Sequence, residues 1–164
     1  MTTLDIYQAN GFDLSPMTEH DLLEVVEIEE ECGLSRWGWD GYYTELLSEQ
    51  SVLMFVARPL MTERTSEVEQ VAGFIAARMA ADDLHINNVA VREQYRRRGI
   101  GGALLAAVLE RGKERGAQKA FLEVRAGNVA AQGLYARYGF EVVGKRANYY
   151  SAPSEDALVM VVPL

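Results

Sequence analysis

Residues 84–105 read LHINNVAVREQYRRRGIGGALL. Leu84 to Val91 is an apolar run interrupted by Asn87 and Asn88. It predicts a strand with a bulge, because asparagine tolerates the left-handed backbone region better than other residues that carry a side chain. Arg92 to Arg98 is basic and polar, and Gly99, Gly101 and Gly102 then open a segment in which Ile100, Ala103, Leu104, Ala107 and Val108 recur at helical spacing up to Gly116. A helix N-terminus offers unpaired N–H groups and partial positive charge. Glycines there let an anion reach the backbone, and Arg96, Arg97 and Arg98 add charge. The same residues also suit a tight turn carrying a solvated basic cluster.

Further along the chain, Ala120 to Arg125 reads as a strand, Val129 to Tyr138 as a helix stopped by Gly139, and Phe140 to Val143 and Ala157 to Val162 as closing strands. Upstream, Thr18 to Asp21 has the shape of a capping box, with Asp where Glu or Gln is usual. It opens a helix through Leu22, Leu23, Val25, Val26 and Ile28 that ends at Gly33. WDGYYTELLSE, residues 39–49, suggests a short aromatic-rich helix. Val52 to Arg58 and Val71 to Met79 form a hairpin across the polar, acidic loop Leu60 to Gln70. The predicted order is two helices, three strands, helix, strand, helix, two strands. This is an α/β (α+β) chain with a mixed sheet and helices on its faces, and residues 1–164 make one domain.

Composition narrows the chemistry. The single Cys32 rules out an internal disulfide and is expected to be a buried small hydrophobe; with only His20 and His85 beside it, no metal-ligand spacing is present. The N-terminal residues MTTLDIYQANGFDLSPM lack the basic start and apolar core of a signal peptide, and no apolar run approaches the ~18 residues of a membrane span. A cytoplasmic protein without a membrane partner is expected. Sixteen basic against 24 acidic residues, formally −8, disfavour nucleic acid as a direct partner and would attract an amine or a basic peptide.

Three phosphate-binding patterns compete for the glycine loop. A nucleotide P-loop needs Gly-Lys-Ser/Thr, whereas Gly102 precedes Ala103 and Leu104. A dinucleotide fold would use Glu123 on a ribose, but it starts its glycines at the strand end and needs a third glycine where Leu104 stands. The third pattern is Arg-x-x-Gly-x-Gly, Arg96 to Gly101, after an apolar strand. With INNVAV before it, and LEVRAGN, GLYARYGF and NYY after it in order, the sequence resembles the GNAT superfamily of acyl-CoA-dependent N-acyltransferases. Within it, these stretches are similar to the ribosomal-protein alanine N-acetyltransferase (RimI) group, closely from about Leu84 onward and more loosely before.

The resemblance implies a mostly antiparallel mixed sheet, splayed between its central strands, with acetyl-CoA in the gap. Val89, Ala90 and Val91 would pair with the pantetheine arm through their backbone. The loop Arg96, Arg97, Arg98, Gly99, Ile100, Gly101 and Gly102 would hold the pyrophosphate, and Asn128 would touch the cofactor arm. By spacing alone, Asn128 is an ordinary helix N-cap, Tyr135 a core aromatic and Glu123 half of a surface ion pair. The family match makes Glu123 the general base and Tyr135 the general acid toward the CoA sulfur.

Reference pKa values favour an N-terminal acceptor, since an α-amine near 7.7–8.0 is substantially neutral at cytosolic pH and a lysine near 10.4 is not. Trp39, Tyr42, Tyr149 and Tyr150 are the candidate substrate-binding residues, and the expected partner is a protein with a free basic N-terminus, possibly ribosomal. Two other readings remain open: a related enzyme acetylating a small amine or a lysine, and an acyl-CoA-binding sensor without chemistry.

Overall fold

The computed structural model of the chain describes residues 7–9, 11–48, 52–65 and 67–164. Met1 to Ile6 of the N-terminal stretch, Glu49 at the end of the predicted second helix and Ser66 of the acidic loop lie outside them. One sheet holds the strands β1 (Tyr7–Ala9), β2 (Phe12–Pro16), β3 (Val52–Pro59), β4 (Gly73–Ala80), β5 (Asp83–Val91), β6 (Lys119–Arg125), β7 (Glu141–Ser151) and β8 (Ser154–Pro163), in the order β1-β2-β3-β4-β5-β6-β8-β7. Every neighbouring pair is antiparallel except β5 and β6. Those two are parallel because the crossover between them carries the helix α3 (Ile100–Glu114).

The remaining helices are α1 (Leu22–Glu31), α2 (Gly38–Leu46) and α4 (Val129–Arg137). The predicted order stands with one correction: β1 and β2 precede α1. In Phe12–Pro16 the alternation of Phe12 and Leu14, both buried, with Asp13 and Ser15 was too short to stand out from the turn residues around it. The capping box is present, as Thr18 N–H donates to Asp21 Oδ2 at 2.9 Å, and it closes a 3₁₀ turn that leads into α1.

Helices cover both faces of the sheet. One core joins Leu104, Leu105, Ala107 and Val108 of α3 to Leu53, Ile75, Leu84 and Leu122, and Tyr135 of α4 belongs to it. The other joins Leu22, Val25 and Ile28 of α1 and Tyr42 of α2 to Val56, Phe74, Ala76 and Ala90. Removing one such buried leucine would cost about 2–5 kcal/mol.

A bulge in β5 decides which side chains reach which face. Ala76 pairs with Asn88 and Ala77 with Ile86, so Asn87 is the extra residue. Before it Leu84 and Ile86 face α3; after it Ala90 faces α1 and α2, while Val89 and Val91 pack on the α3 side. The bulge was legible in the two asparagines, but the left-handed backbone that suggested it occurs elsewhere, at Ala81, Arg97 and Asn148.

Candidate active site

Strands β5 and β6 pair only from Asp83–Lys119 to Ile86–Leu122. Beyond that the sheet splays, and two clefts open on either side of the gap. The first, about 640 Å³, runs along Val89, Ala90 and Val91 to the start of α3 and is also lined by Arg96, Arg97, Gly99, Ile100, Gly101 and Gly102. The second, about 200 Å³, holds Glu123, His85, Asn87, Trp37, Tyr149 and Tyr150. They meet at Cys32, Leu34, Val89, Asn128, Ala131 and Tyr135, which line both.

The first cleft has the chemistry of an anion cradle. Gly99 caps α3 at φ 79°, a backbone that favours glycine, no side chain caps that end, and the first turn carries no acidic residue. Its free N–H groups, the basic loop and the exposed edge of β5 fit a diphosphate followed by an extended arm, which is the shape of coenzyme A. Two of the expected loop residues serve packing as well. Ile100 is buried, and a Cβ on Gly102 would stand 2.7 Å from the Tyr138 hydroxyl. Arg96 bends back, donating from Nε to Val91 O at 3.0 Å and from NH2 to Cys32 Sγ at 3.4 Å. Arg98 turns away from the cleft, with Glu63 at 3.4 Å and the Tyr95 ring beneath it.

In the second cleft Glu123 is drawn in by the register of β6, which sends Leu122 and Val124 into the α3-side core and Glu123 to the opposite face. Its side chain is only 9% exposed; Oε2 lies 2.8 Å from His85 Nε2 and Oε1 3.7 Å from Arg146. The His85 hydrogen bond, with help from Arg146, holds the Glu123 carboxyl below the usual carboxylate range despite its burial. Tyr135 is buried among apolar neighbours on α4. Burial, with Tyr150 nearby, pushes its phenol up to about 12. Proton transfer from it to a thiolate near 8.5 is uphill by roughly 5 kcal/mol at equilibrium, so Tyr135 acts by donating a hydrogen bond as sulfur charge develops.

Asn128 Oδ1 accepts from Ala131 N–H at 3.1 Å, the expected cap, and the residue also lines both clefts. Tyr149 and Tyr150 stand in the second cleft on a bulged part of β7, with Arg125 over the Tyr150 ring at 4.3 Å. Two expected acceptor-wall residues are elsewhere. Tyr42 is fully buried beneath the wall, and Trp39 stacks on Tyr43 at the surface, because helical spacing turns residues 37 and 39 to different sides; Trp37 lines the cleft instead. Cys32, expected in the core, is half-buried where the clefts meet.

Sequence reasoning passed over His85, Asn87, Trp37 and Arg125. The pairing of His85 with Phe121, two residues from Glu123, was the signal that would have found His85, but it requires the strand register. Among the described residues no group of three or more His, Cys, Asp or Glu could hold a metal, and no helix is long and apolar enough to cross a membrane.

The acetyltransferase (GNAT) family profile matches residues 22–140. The chain is 36% identical, over 90% of its length and 93% of the relative's, to a Bacillus subtilis (strain 168) protein whose name provisionally gives it ribosomal protein bS18-alanine N-acetyltransferase activity. It is 31% identical to the Haemophilus influenzae ribosomal protein bS18-alanine N-acetyltransferase, over 90% and 95% of the two chains. The crystal structure of the ribosomal-protein-S18-alanine N-acetyltransferase from Escherichia coli superposes with a TM-score of 0.77 at 28% identity, covering 93% of each chain.

Proposed function

This chain belongs to the acetyltransferase (GNAT) family and is an acetyl-CoA-dependent N-acetyltransferase; on that premise we propose that its acceptor is the N-terminal α-amine of a protein, a ribosomal protein beginning with alanine. The observation that carries the reading is the meeting of the two clefts. Tyr135 lines both, whereas Glu123 lines only the second, so a donor entering along β5 and an amine entering past Tyr149 converge between a hydrogen-bond donor and a carboxylate.

Acetyl-CoA, when bound, supplies an activated acetyl thioester. The start of α3 and the backbone of Val89 to Val91 hold it, and Asn128, whose Oδ1 is committed to the α4 cap, keeps its amide N–H groups for the arm. Glu123 receives the proton of the incoming amine, and Tyr135 steadies the departing sulfur. Transfer is direct, from thioester to amine. A depressed carboxylate is a weak base, which suits an α-amine that is already substantially neutral and disfavours lysine by about 3.5 kcal/mol of deprotonation. An acidic chain, formally −8, also attracts the basic N-terminus of a ribosomal protein in the cytoplasm.

The test compares kcat/KM for short basic peptides beginning with alanine, serine or methionine, and for one with a blocked N-terminus and a lysine. Alanine is expected to lead, and Glu123→Gln and Tyr135→Phe are expected to lower turnover about a hundredfold while keeping acetyl-CoA affinity. Full activity in both variants, or a preference for lysine, would overturn the reading.

A further inference from the structure

Glu123 is a poor resting place for a proton, because the hydrogen bond from His85 holds its carboxyl low. The residue that lowers it also supplies a better site, since an imidazole is about two units more basic than a carboxylate in model peptides. His85 lines the acceptor cleft with its ring stacked on Phe121, centroids 4.4 Å apart and planes 5° from parallel, so its two nitrogens are fixed in direction. Nε2 faces Glu123 Oε2 at 2.8 Å, and Nδ1 faces Asn87 Nδ2 at 3.3 Å.

That arrangement sets the tautomer. An amide nitrogen only donates, so Nδ1 is the acceptor and the ring proton sits on Nε2, donated to the carboxylate. Asn87 Oδ1, meanwhile, is buried and has no hydrogen-bond partner. A half-turn of the Asn87 amide brings this idle oxygen to Nδ1, where it accepts from a protonated ring. Asn87 can therefore serve either protonation state of His85, and only the protonated one satisfies its oxygen.

We propose that Glu123 and His85 take up the acceptor's proton as a pair, with His85 Nδ1 as its resting place and Asn87 as the residue that turns to hold it. The proposal rests on the reading of Glu123 as the base. Protons balance: the ammonium group loses one, the pair gains that one and becomes carboxylate and imidazolium, and the proton returns to solvent through the cleft that both residues line. The charged groups facing His85 are Glu123 of β6 with Arg146 of β7 beyond it, and across the strand Arg78 of β4, itself 3.4 Å from Glu45 of α2; Tyr149 and Tyr150 of β7 share the cleft. Arg78 and Glu45 offset one another, so Glu123 is the group that decides the charge on the ring.

The experiment measures kcat/KM from pH 5 to 9 with a peptide that begins with alanine and lacks lysine, for wild type, His85→Gln and Glu123→Gln. Glutamine keeps an N–H donor toward Glu123 but does not titrate. His85→Gln is expected to lose about tenfold or more in kcat with KM for acetyl-CoA unchanged. It should also lose the acid limb present in wild type, apart from the limb of the peptide's own amine, which all variants share. Activity within about threefold of wild type with an unaltered profile would reduce His85 to holding Glu123 in place and overturn the pairing. If Glu123→Gln itself retains full activity, the base reading falls first. A second readout needs no substitution. In ¹⁵N-labelled wild type, the His85 ring nitrogens and the Asn87 side-chain amide should shift with one midpoint, and separate midpoints would overturn the coupling.

Discussion

The Tyr42 hydroxyl donates to the buried Glu29 carboxylate and accepts from Asn88 Nδ2 at 2.9 Å, so one oxygen ties α2 to α1 and to the bulge of β5. The same carboxylate accepts the backbone N–H groups of Trp37 and Gly38 at 3.1 and 3.2 Å. Residues 33–37, which line the acceptor cleft, are thereby fixed from beneath. Burial and Glu29 together raise the Tyr42 phenol far above its ordinary value, so it remains a donor. Tyr42→Phe should lower stability by about 1–3 kcal/mol, through the lost donor to a buried carboxylate. It should also raise KM for peptide while leaving acetyl-CoA affinity unchanged, as titration calorimetry and steady-state kinetics would show.

Arg92 is the most buried charge among the described residues. Fully enclosed, it donates to Val71 O at 2.8 Å and pairs with Glu24, Glu27 and Glu31 of α1 and with Glu69. Arg92→Met would leave four carboxylates around a neutral side chain. The expected loss in urea denaturation is about 3 kcal/mol, the low end for a broken buried pair, because the carboxylates keep 22–52% exposure. Part of it should be recovered in high salt, which screens their mutual repulsion.

The Glu123 carboxyl is held below its unfolded value by His85. A depressed carboxyl stabilises the fold fully above its unfolded pKa and ceases to do so as pH falls through its folded one. The melting temperatures of wild type and Glu123→Gln should therefore differ most at pH 6–7 and converge below about pH 4. A gap that widens on acidification would mean that the contact does not stabilise the carboxylate.

Cys32 Sγ sits at the junction of the clefts, 3.6 Å from Val91 O and 3.4 Å from Arg96 NH2. Direct transfer gives it no covalent part. Cys32→Ala should keep turnover within about threefold, and mass spectrometry of wild type with acetyl-CoA alone should find no acetyl-enzyme. A trapped acetyl-enzyme would replace direct transfer with a relay.

Much of this site was written in local patterns. The glycines before an apolar helical repeat announced the cradle, and the strand–loop–helix order announced the crossover that makes β5 and β6 parallel. What local patterns could not supply was register. The bulge at Asn87 sends Asn88 to Tyr42 and Val89 to the other face, and neither follows from simple alternation. His85 meets Glu123 only because Asp83 pairs with Lys119 across 36 residues of chain. Arg98 and Tyr42 had the right residue types for a binding site, yet Glu63 and Glu29 claim them in three dimensions.

The central claim is transfer to an α-amine, and one peptide tests it. It begins with a free alanine, is basic throughout and carries a single internal lysine, so both amines compete for one acetyl group. After incubation with acetyl-CoA, fragmentation in the mass spectrometer assigns the added acetyl to one nitrogen or the other. The account predicts acetylation on the N-terminal nitrogen, abolished in Glu123→Gln; acetyl on the lysine with a free N-terminus would contradict it.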